Sequence, residues 1–360
     1  MTYLDHAATT PVSAAARAAL LAGIALAGNP ASVHGAGRAA NAALEGARDQ
    51  VAAFAGAAPE QIIFTSGGTE ALSLAIHGTR GRDGQPLPLL ALASEHSAVL
   101  GARDDAVLLP VDGDGLIDLA ALDAALARQS GPVLVAVQAA NNETGVIQPL
   151  DVVARQVAAH GSLLLADCVQ AAGKIPLPAA DFIAISGHKL GAPMGVGALV
   201  VRTPERLHAV QRGGQERGHR GGTPNLPGIM ALAAAVAEPH DWAAVSARRL
   251  ALEARLEAAG ALIHGAAAPR LPHISSIGLP GLAAATQVMQ LDLAGFAVSA
   301  GAACSSGRVK ASHVLAAMGL GTAAGEAIRV SLSPATSDAE RDAFAAAWER
   351  LAAGIRGRAA

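Results

Sequence analysis

Ser186-Gly-His-Lys189 follows the apolar run Asp181–Ile185, and Asp167 with Gln170 follows the apolar run Leu163–Ala166. Glu95-His96 follows Leu87–Ser94, and Asn141-Asn142-Glu-Thr-Gly145 follows Val133–Ala140. Thr65-Ser-Gly-Gly68-Thr69-Glu70 follows Gln61–Phe64 and leads into a helical pattern. Each has a plain explanation when taken alone. A histidine is more often structural than catalytic, Asn-Asn is often a turn, and a lysine is usually a solvated surface group. Together they put ionisable groups after successive apolar runs, which chance rarely does.

The chemistry of that set can be stated. A lysine at the end of a buried strand, beside glycines, loses enough solvation to act as an amine nucleophile and form a Schiff base. A carboxylate below it, such as Asp167, can keep a pyridine nitrogen protonated. Small and hydroxyl residues at a helix start leave backbone N–H groups for a phosphate. The plainer reading there is a turn capped by Thr69. No lysine follows the glycines, so the segment is not a P-loop. A lysine nucleophile, a pyridinium partner and a phosphate cup are the parts that pyridoxal 5'-phosphate requires.

A different chemistry belongs to Ala300-Gly-Ala-Ala-Cys304-Ser-Ser-Gly-Arg308-Val-Lys310, which runs on into Ser312-His-Val-Leu-Ala-Ala-Met-Gly319. Small neighbours leave Cys304 accessible, and Arg308 and Lys310 favour its thiolate. Cys168 closes an apolar run beside Asp167 and reads as core packing. Two cysteines make neither a disulfide framework nor a cysteine-rich zinc site. Gly35-Ala-Gly37-Arg-Ala-Ala40 mimics a dinucleotide fingerprint, but no strand precedes it. Asp112-Gly-Asp114-Gly lacks the glycine that a calcium loop needs at its sixth position. It reads as a turn before a helix capped at Asp118. No His-Glu-x-x-His spacing exists, so no metal is expected.

The elements that must position these groups are visible as a pattern. Strand candidates are 61–66, 87–94, 106–111, 133–140, 163–168, 181–186 and 197–202. Helical stretches lie between several of them: 69–77, 118–128 and 151–160. Such alternation predicts βαβ units and a mostly parallel, buried sheet, with ligands at the carboxyl ends of its strands. The stretch 204–227 is polar and Gly-rich and reads as a long loop, of the kind that is usually functional. Ala-rich helices at about 226–238 and 241–260 follow it. Strands at 273–278 and 295–300, mixed with helices, suggest a smaller α/β domain. The expected division is a large domain over 15–245 and a small one from 1–14 plus 246–360.

Composition removes several function classes. The 360 residues are 52% hydrophobic and 15% charged, which excludes a disordered or solvating segment. Aromatics are only 2%, so the core must be aliphatic and base stacking is not a plausible mode of action. Net charge is 26 − 29 = −3, which offers no attraction to nucleic acid or an anionic membrane. Met1–Pro11 lacks the basic and apolar segments of a secretory signal. No apolar run reaches the roughly 18 residues of a membrane span. A cytoplasmic enzyme, with neither nucleic acid nor membrane as partner, is expected.

The ordered series resembles the cysteine desulfurases, class V aminotransferase-like pyridoxal phosphate enzymes. It comprises Tyr3-Leu-Asp-His-Ala-Ala-Thr-Thr-Pro11, Asn29-Pro-Ala-Ser-Val-His-Gly35, Phe64–Glu70, Glu95-His96, Asn141–Gly145, Asp167-Cys-Val-Gln170, Ser186–Lys189, Gly213-Gly-Gln-Glu-Arg-Gly-His-Arg-Gly-Gly-Thr223 and Ala303-Cys-Ser-Ser306. The cysteine segment is similar to that of the nitrogen-fixation and iron–sulfur housekeeping subgroup.

The resemblance implies fold type I, with a seven-stranded, mostly parallel sheet in the large domain. It implies that Lys189 holds the cofactor covalently, Asp167 pairs with the pyridine nitrogen, Gln170 bonds the ring hydroxyl and His96 stacks on the ring and carries protons. Gly68, Thr69, Ser186 and His188 would bind the phosphate, with Thr223 reaching in from the second subunit of a homodimer. Asn142, near the cofactor, and Arg329 would hold the carboxylate of L-cysteine. Cys304 would carry the sulfur as a persulfide to an acceptor protein, a scaffold or carrier, while alanine is released. A selenocysteine lyase or another C–S β-lyase is the alternative. The phosphate turn has Gly68 where the family often has alanine.

Overall fold

The computed structural model describes residues 1–81, 83–301 and 311–359. All seven strand candidates of the large domain form strands of one sheet. Across it they lie in the order Ile62–Thr65, Gly197–Val201, Phe182–Ser186, Leu163–Asp167, Leu134–Gln138, Leu89–Leu92 and Val107–Leu109. Gly197–Val201 runs antiparallel to both its neighbours. The remaining pairs are parallel.

The strands are short and apolar because both sheet faces are covered. In Leu163–Asp167, Leu164 and Ala166 enter one core, while Leu163 and Leu165 enter another. The same alternation sends Ile183 and Ile185 to the first core and Phe182 and Ala184 to the second, as a side-chain period of two requires. The second face is covered by helix Gly68–Gly78 through Leu72, Ala75 and Ile76. The first is covered by Gly35–Ala55, Leu150–Ala159 and Leu226–Val236. Helix 35–55 opens on the glycines that mimic a dinucleotide fingerprint. Its cap is His34, whose Nδ1 accepts from Gly37 N at 3.2 Å.

A second sheet has the antiparallel order Ala327–Ser331, Ile274–Gly278, Leu262–Ile263. It shares a core with helices Trp242–Ala258 and Asp338–Ala359, built round Phe344 and Trp348. The strand expected at 295–300 is reduced to Phe296–Ala297, paired with Thr2–Tyr3. The chain changes partner there: Ser299 exchanges backbone bonds with Arg329 instead. The stretch 204–227 is mostly irregular, but it is not wholly solvated. Glu216 is buried and forms a forked ion pair with Arg48 at 2.8 and 3.0 Å. Among the described residues, no helix is long and apolar enough to cross a membrane.

Candidate active site

Parallel register sets the site. Gln138 lies opposite Asp167, and Asp167 opposite Ala184, so Gln138, Asp167 and Ser186 end their strands on the same edge. A cavity of about 630 Å³ opens there. It is lined by Gly68, Thr69, His96, Asn142, Asp167, Gln170, Ser186, His188, Lys189 and Arg329. Residues spread over 261 positions of sequence (329 − 68) are thus gathered into one cleft. Thr223 lies outside it, in a neighbouring cavity of about 100 Å³ that shares Ser66 and Gly195 with the first. Cys304, Arg308 and Lys310 fall outside the described residues.

Lys189 ends the short turn Gly187–Lys189 that follows strand Phe182–Ser186. Its Nζ donates to the carbonyls of Ala7 at 2.5 Å and Ala8 at 2.7 Å. Burial and the charge of Arg329 push its amine down to about 8, with Asp5 and Asp167 opposing. Asp167 accepts from Val169 N at 2.9 Å. Burial lifts its carboxyl to about 6, against that bond and the charge of Lys189. The neighbouring Glu95 is fully buried, and burial and the charge of Asp167 hold its carboxyl well above the usual range.

His96 caps the short helix Ser97–Leu100, accepting from Ala98 N through Nδ1 at 3.1 Å. That bond places the neutral ring's proton on Nε2. Burial, Lys189 and His313 lower its pKa, so the neutral ring dominates at pH 7. Arg329 lies in strand Ala327–Ser331 of the smaller sheet. Its guanidinium donates to Asn142 O at 2.9 Å and to Asp5 at 2.7 Å, while its Nε is buried with no partner.

The cleft also fits an anionic ring ligand. The N–H groups of Gly68 and Thr69 lie in the first turn of their helix, where an α-helix supplies no internal acceptor. Thr69 is inside the helix and is not its cap, so the plain capped-turn reading fails. A Cβ on Gly68 would lie 2.5 Å from Val169 Cγ2, which explains glycine at this position. Gln170 donates from Nε2 to Ala7 O at 2.9 Å, while its Oε1 is buried and unpartnered. A ring hydroxyl would satisfy it. Asp167, buried without an ion-pair partner among the described residues, suits a protonated ring nitrogen.

Three lining groups carried no role from sequence. Glu143 belongs to the Asn-Asn-Glu-Thr-Gly segment and accepts from Ser312 Oγ at 2.5 Å. His313 lies 2.9 Å from Glu95 O through Nε2. Its segment followed the cysteine motif, but nothing local marked it as part of the cleft. The backbone carbonyls of Ala7 and Ala8 carry no side-chain signal at all.

This sheet order, with a lysine-bearing turn and an unpaired aspartate on one edge, defines a fold-type I pyridoxal phosphate enzyme. The profile of the class-V aminotransferase family matches residues 2–344. A cysteine desulfurase of Cereibacter sphaeroides is 42% identical, over 94% of this chain and 92% of its own. Cysteine desulfurase 2 of Trichormus variabilis is 38% identical, over 94% and 90%. A NifS-like protein from Rickettsia africae superposes with a TM-score of 0.88 at 29% identity, over 98% of this chain and 99% of that one. The chain belongs to the class-V aminotransferase family, in its cysteine desulfurase branch.

Proposed function

We infer that this protein converts L-cysteine to L-alanine and passes the sulfur on as a persulfide on Cys304. The observation that carries this is the convergence of Lys189, Asp167, His96 and Arg329 on one cleft that also offers an open helix N-terminus. The relatives' desulfurase activity agrees with it.

Bound in the cleft, pyridoxal phosphate supplies an electron sink for negative charge at the substrate's α-carbon. Lys189 would hold it covalently, and the Lys189 amine would take and return protons at that carbon. Asp167 would keep the ring nitrogen protonated, and Gln170 Oε1 would accept from the ring hydroxyl. Gly68, Thr69, Ser186 and His188 would hold the phosphate. His96 would pack on the ring and donate through Nε2–H. Arg329, already fixed by Asp5 and Asn142 O, offers its free Nε to the substrate carboxylate. The thiolate of Cys304 attacks the substrate Sγ: an S–S bond forms, the Cβ–S bond breaks, and its electron pair goes to Cβ. Protonation there completes the methyl group of alanine.

The test is direct. Parent protein incubated with L-cysteine is expected to give alanine and protein-bound sulfur located on Cys304. Cys304→Ala should bind cofactor normally and form no protein persulfide. Alanine produced at the parent rate by that variant would show that the persulfide route is wrong and favour a lyase that expels its leaving atom unaided.

The protein acts as a homodimer in this reading, and a scaffold or carrier protein accepts the sulfur. Thr223 lies outside the cleft of its own chain, in keeping with a role in the partner's phosphate site. Lys189→Ala and Thr223→Val chains, each impaired alone, should regain activity when mixed under exchange, because one hybrid site is intact. A monomer by light scattering, with no activity regained, sinks the shared-site reading.

A further inference from the structure

Behind the cleft lies a buried lysine with no part in the chemistry above. Lys174 closes the turn that follows Asp167 and Gln170. Its Nζ donates to Ala172 O of that turn at 3.3 Å and to the backbone carbonyl of Lys189 at 3.0 Å. A third cavity, of about 70 Å³, has both Lys174 and Lys189 in its wall, with His6, His273 and Trp242. The Trp242 indole donates to Gly173 O at 2.5 Å, and its ring lies 5.9 Å from Lys174 Nζ.

Among the described residues no carboxylate pairs with Lys174, and its hydrogen-bond partners are carbonyls. A buried ammonium without an anion is costly, and an aliphatic side chain would fill the same space more cheaply. Burial and the nearby charge of Lys189 push the amine down to about 7, so it is largely uncharged at mildly alkaline pH. An uncharged amine has two N–H donors, and two carbonyls receive them. Those carbonyls belong to the two turns that end neighbouring strands: one bears Asp167 and Gln170, the other bears Ser186, His188 and Lys189.

We propose that Lys174 is a positioning residue: it cross-links these two turns and so fixes the register of the lysine that carries the cofactor against the aspartate and glutamine that hold its ring. This rests on the reading that Lys189 carries the cofactor. The strand ladder ends before the turns, and among the described residues the Lys174 amine donates directly from one turn to a carbonyl of the other, beside the Ala7 carbonyl that Gln170 and Lys189 both reach.

The experiment begins with borohydride reduction of the parent holoenzyme and mapping of the labelled peptide. Label anywhere but Lys189 sinks the cofactor assignment itself. With that in hand, parent, Lys174→Met and Lys174→Arg are compared as holoenzymes below the melting temperature of each. The readouts are the cofactor's dissociation rate and its visible circular dichroism per bound cofactor. Lys174→Met loses both donors and is expected to release cofactor roughly tenfold faster, the effect of about one hydrogen bond, with weaker dichroism. Lys174→Arg keeps donors at the same carbonyls and should recover most of both. Should Lys174→Met fail to fold, Lys174→Gln, which retains an N–H donor, takes its place and should fall between parent and loss. Parental dissociation and dichroism in Lys174→Met, or in Lys174→Gln where that stands in, overturn the proposal. So does an equal loss in Lys174→Arg, which would mark a role in packing alone.

Discussion

Asp167→Asn is expected to lose about 100- to 1,000-fold in turnover while keeping its cofactor, the usual cost of removing one preorganised electrostatic partner. The substitution leaves shape and burial almost unchanged. Asparagine can still accept from Val169 N, a backbone bond that orients Asp167. What it cannot do is hold a positive charge on a ring nitrogen. In the proposed reading the cofactor should stay, because Lys189, Gln170 and the helix start at Gly68 would still hold it. Spectroscopic quantitation of bound cofactor beside alanine release separates the two effects. Near-parental turnover would show that Asp167 is not the pyridinium partner.

The same carboxyl sets an acid limb. Burial holds Asp167 at about 6 without a bound cation. A pyridinium beside it stabilises the charged form and lowers that value further. The group is therefore ionised at pH 7 and neutral at strongly acidic pH. Activity should fall as pH drops through about 6 or below, and Asp167→Asn should lack that limb.

The large sheet was legible because its strands are buried on both faces. Leu163-Leu-Leu-Ala and Phe182-Ile-Ala-Ile are too apolar for any exposed position, and each ends on a polar group at the cleft. Strand ends were less legible. Asp181 looks like the start of a strand, but its carboxylate accepts from Leu164 N at 2.8 Å and caps the neighbouring strand instead. Gly295–Ala300 reads as one strand, yet its partner changes midway, and a local pattern cannot show that. Lys189, Asp167 and His96 could be singled out by position. The chemistry of a buried lysine and a neighbouring carboxylate suggested the roles of Lys189 and Asp167, while that of His96 came from the resemblance, since spacing alone does not say which atom a histidine will meet. Lys174 sat unremarked beside them. A lysine in Ala-Ala-Gly-Lys-Ile looks like a surface residue, and only the tertiary structure buries it.

Glu216 is a buried charge that the polar loop sequence did not mark, and its replacement is expected to have the largest effect on stability. Gln-Glu-Arg-Gly-His-Arg looks solvated, but the Glu216 and Arg48 side chains are only 2% and 3% exposed. Glu216 also accepts from Phe64 N at 2.8 Å, and Arg48 donates to Ile62 O at 2.9 Å, so the pair clamps the edge strand Ile62–Thr65. Arg48 also sits 4.8 Å over the Phe64 ring. The chain accepts left-handed backbone at Glu216 and Arg217, with φ of 43° and 54°, to make this contact. Arg220, four residues on, then reaches Glu70 at 2.7 Å, and Glu70 accepts from Ser66 N in the phosphate turn. Glu216→Ala strands a buried guanidinium, whose other carboxylate partner, Glu45, is 41% exposed. Loss of one member of a buried pair costs about 3–5 kcal/mol. Denaturant unfolding of the Glu216→Ala apo-protein should show that loss. Arg48→Met combined with Glu216→Leu should recover most of it, because removing both charges also removes their desolvation cost. A single variant within about 1 kcal/mol of the parent would mean that the pair is not what holds this loop to the sheet.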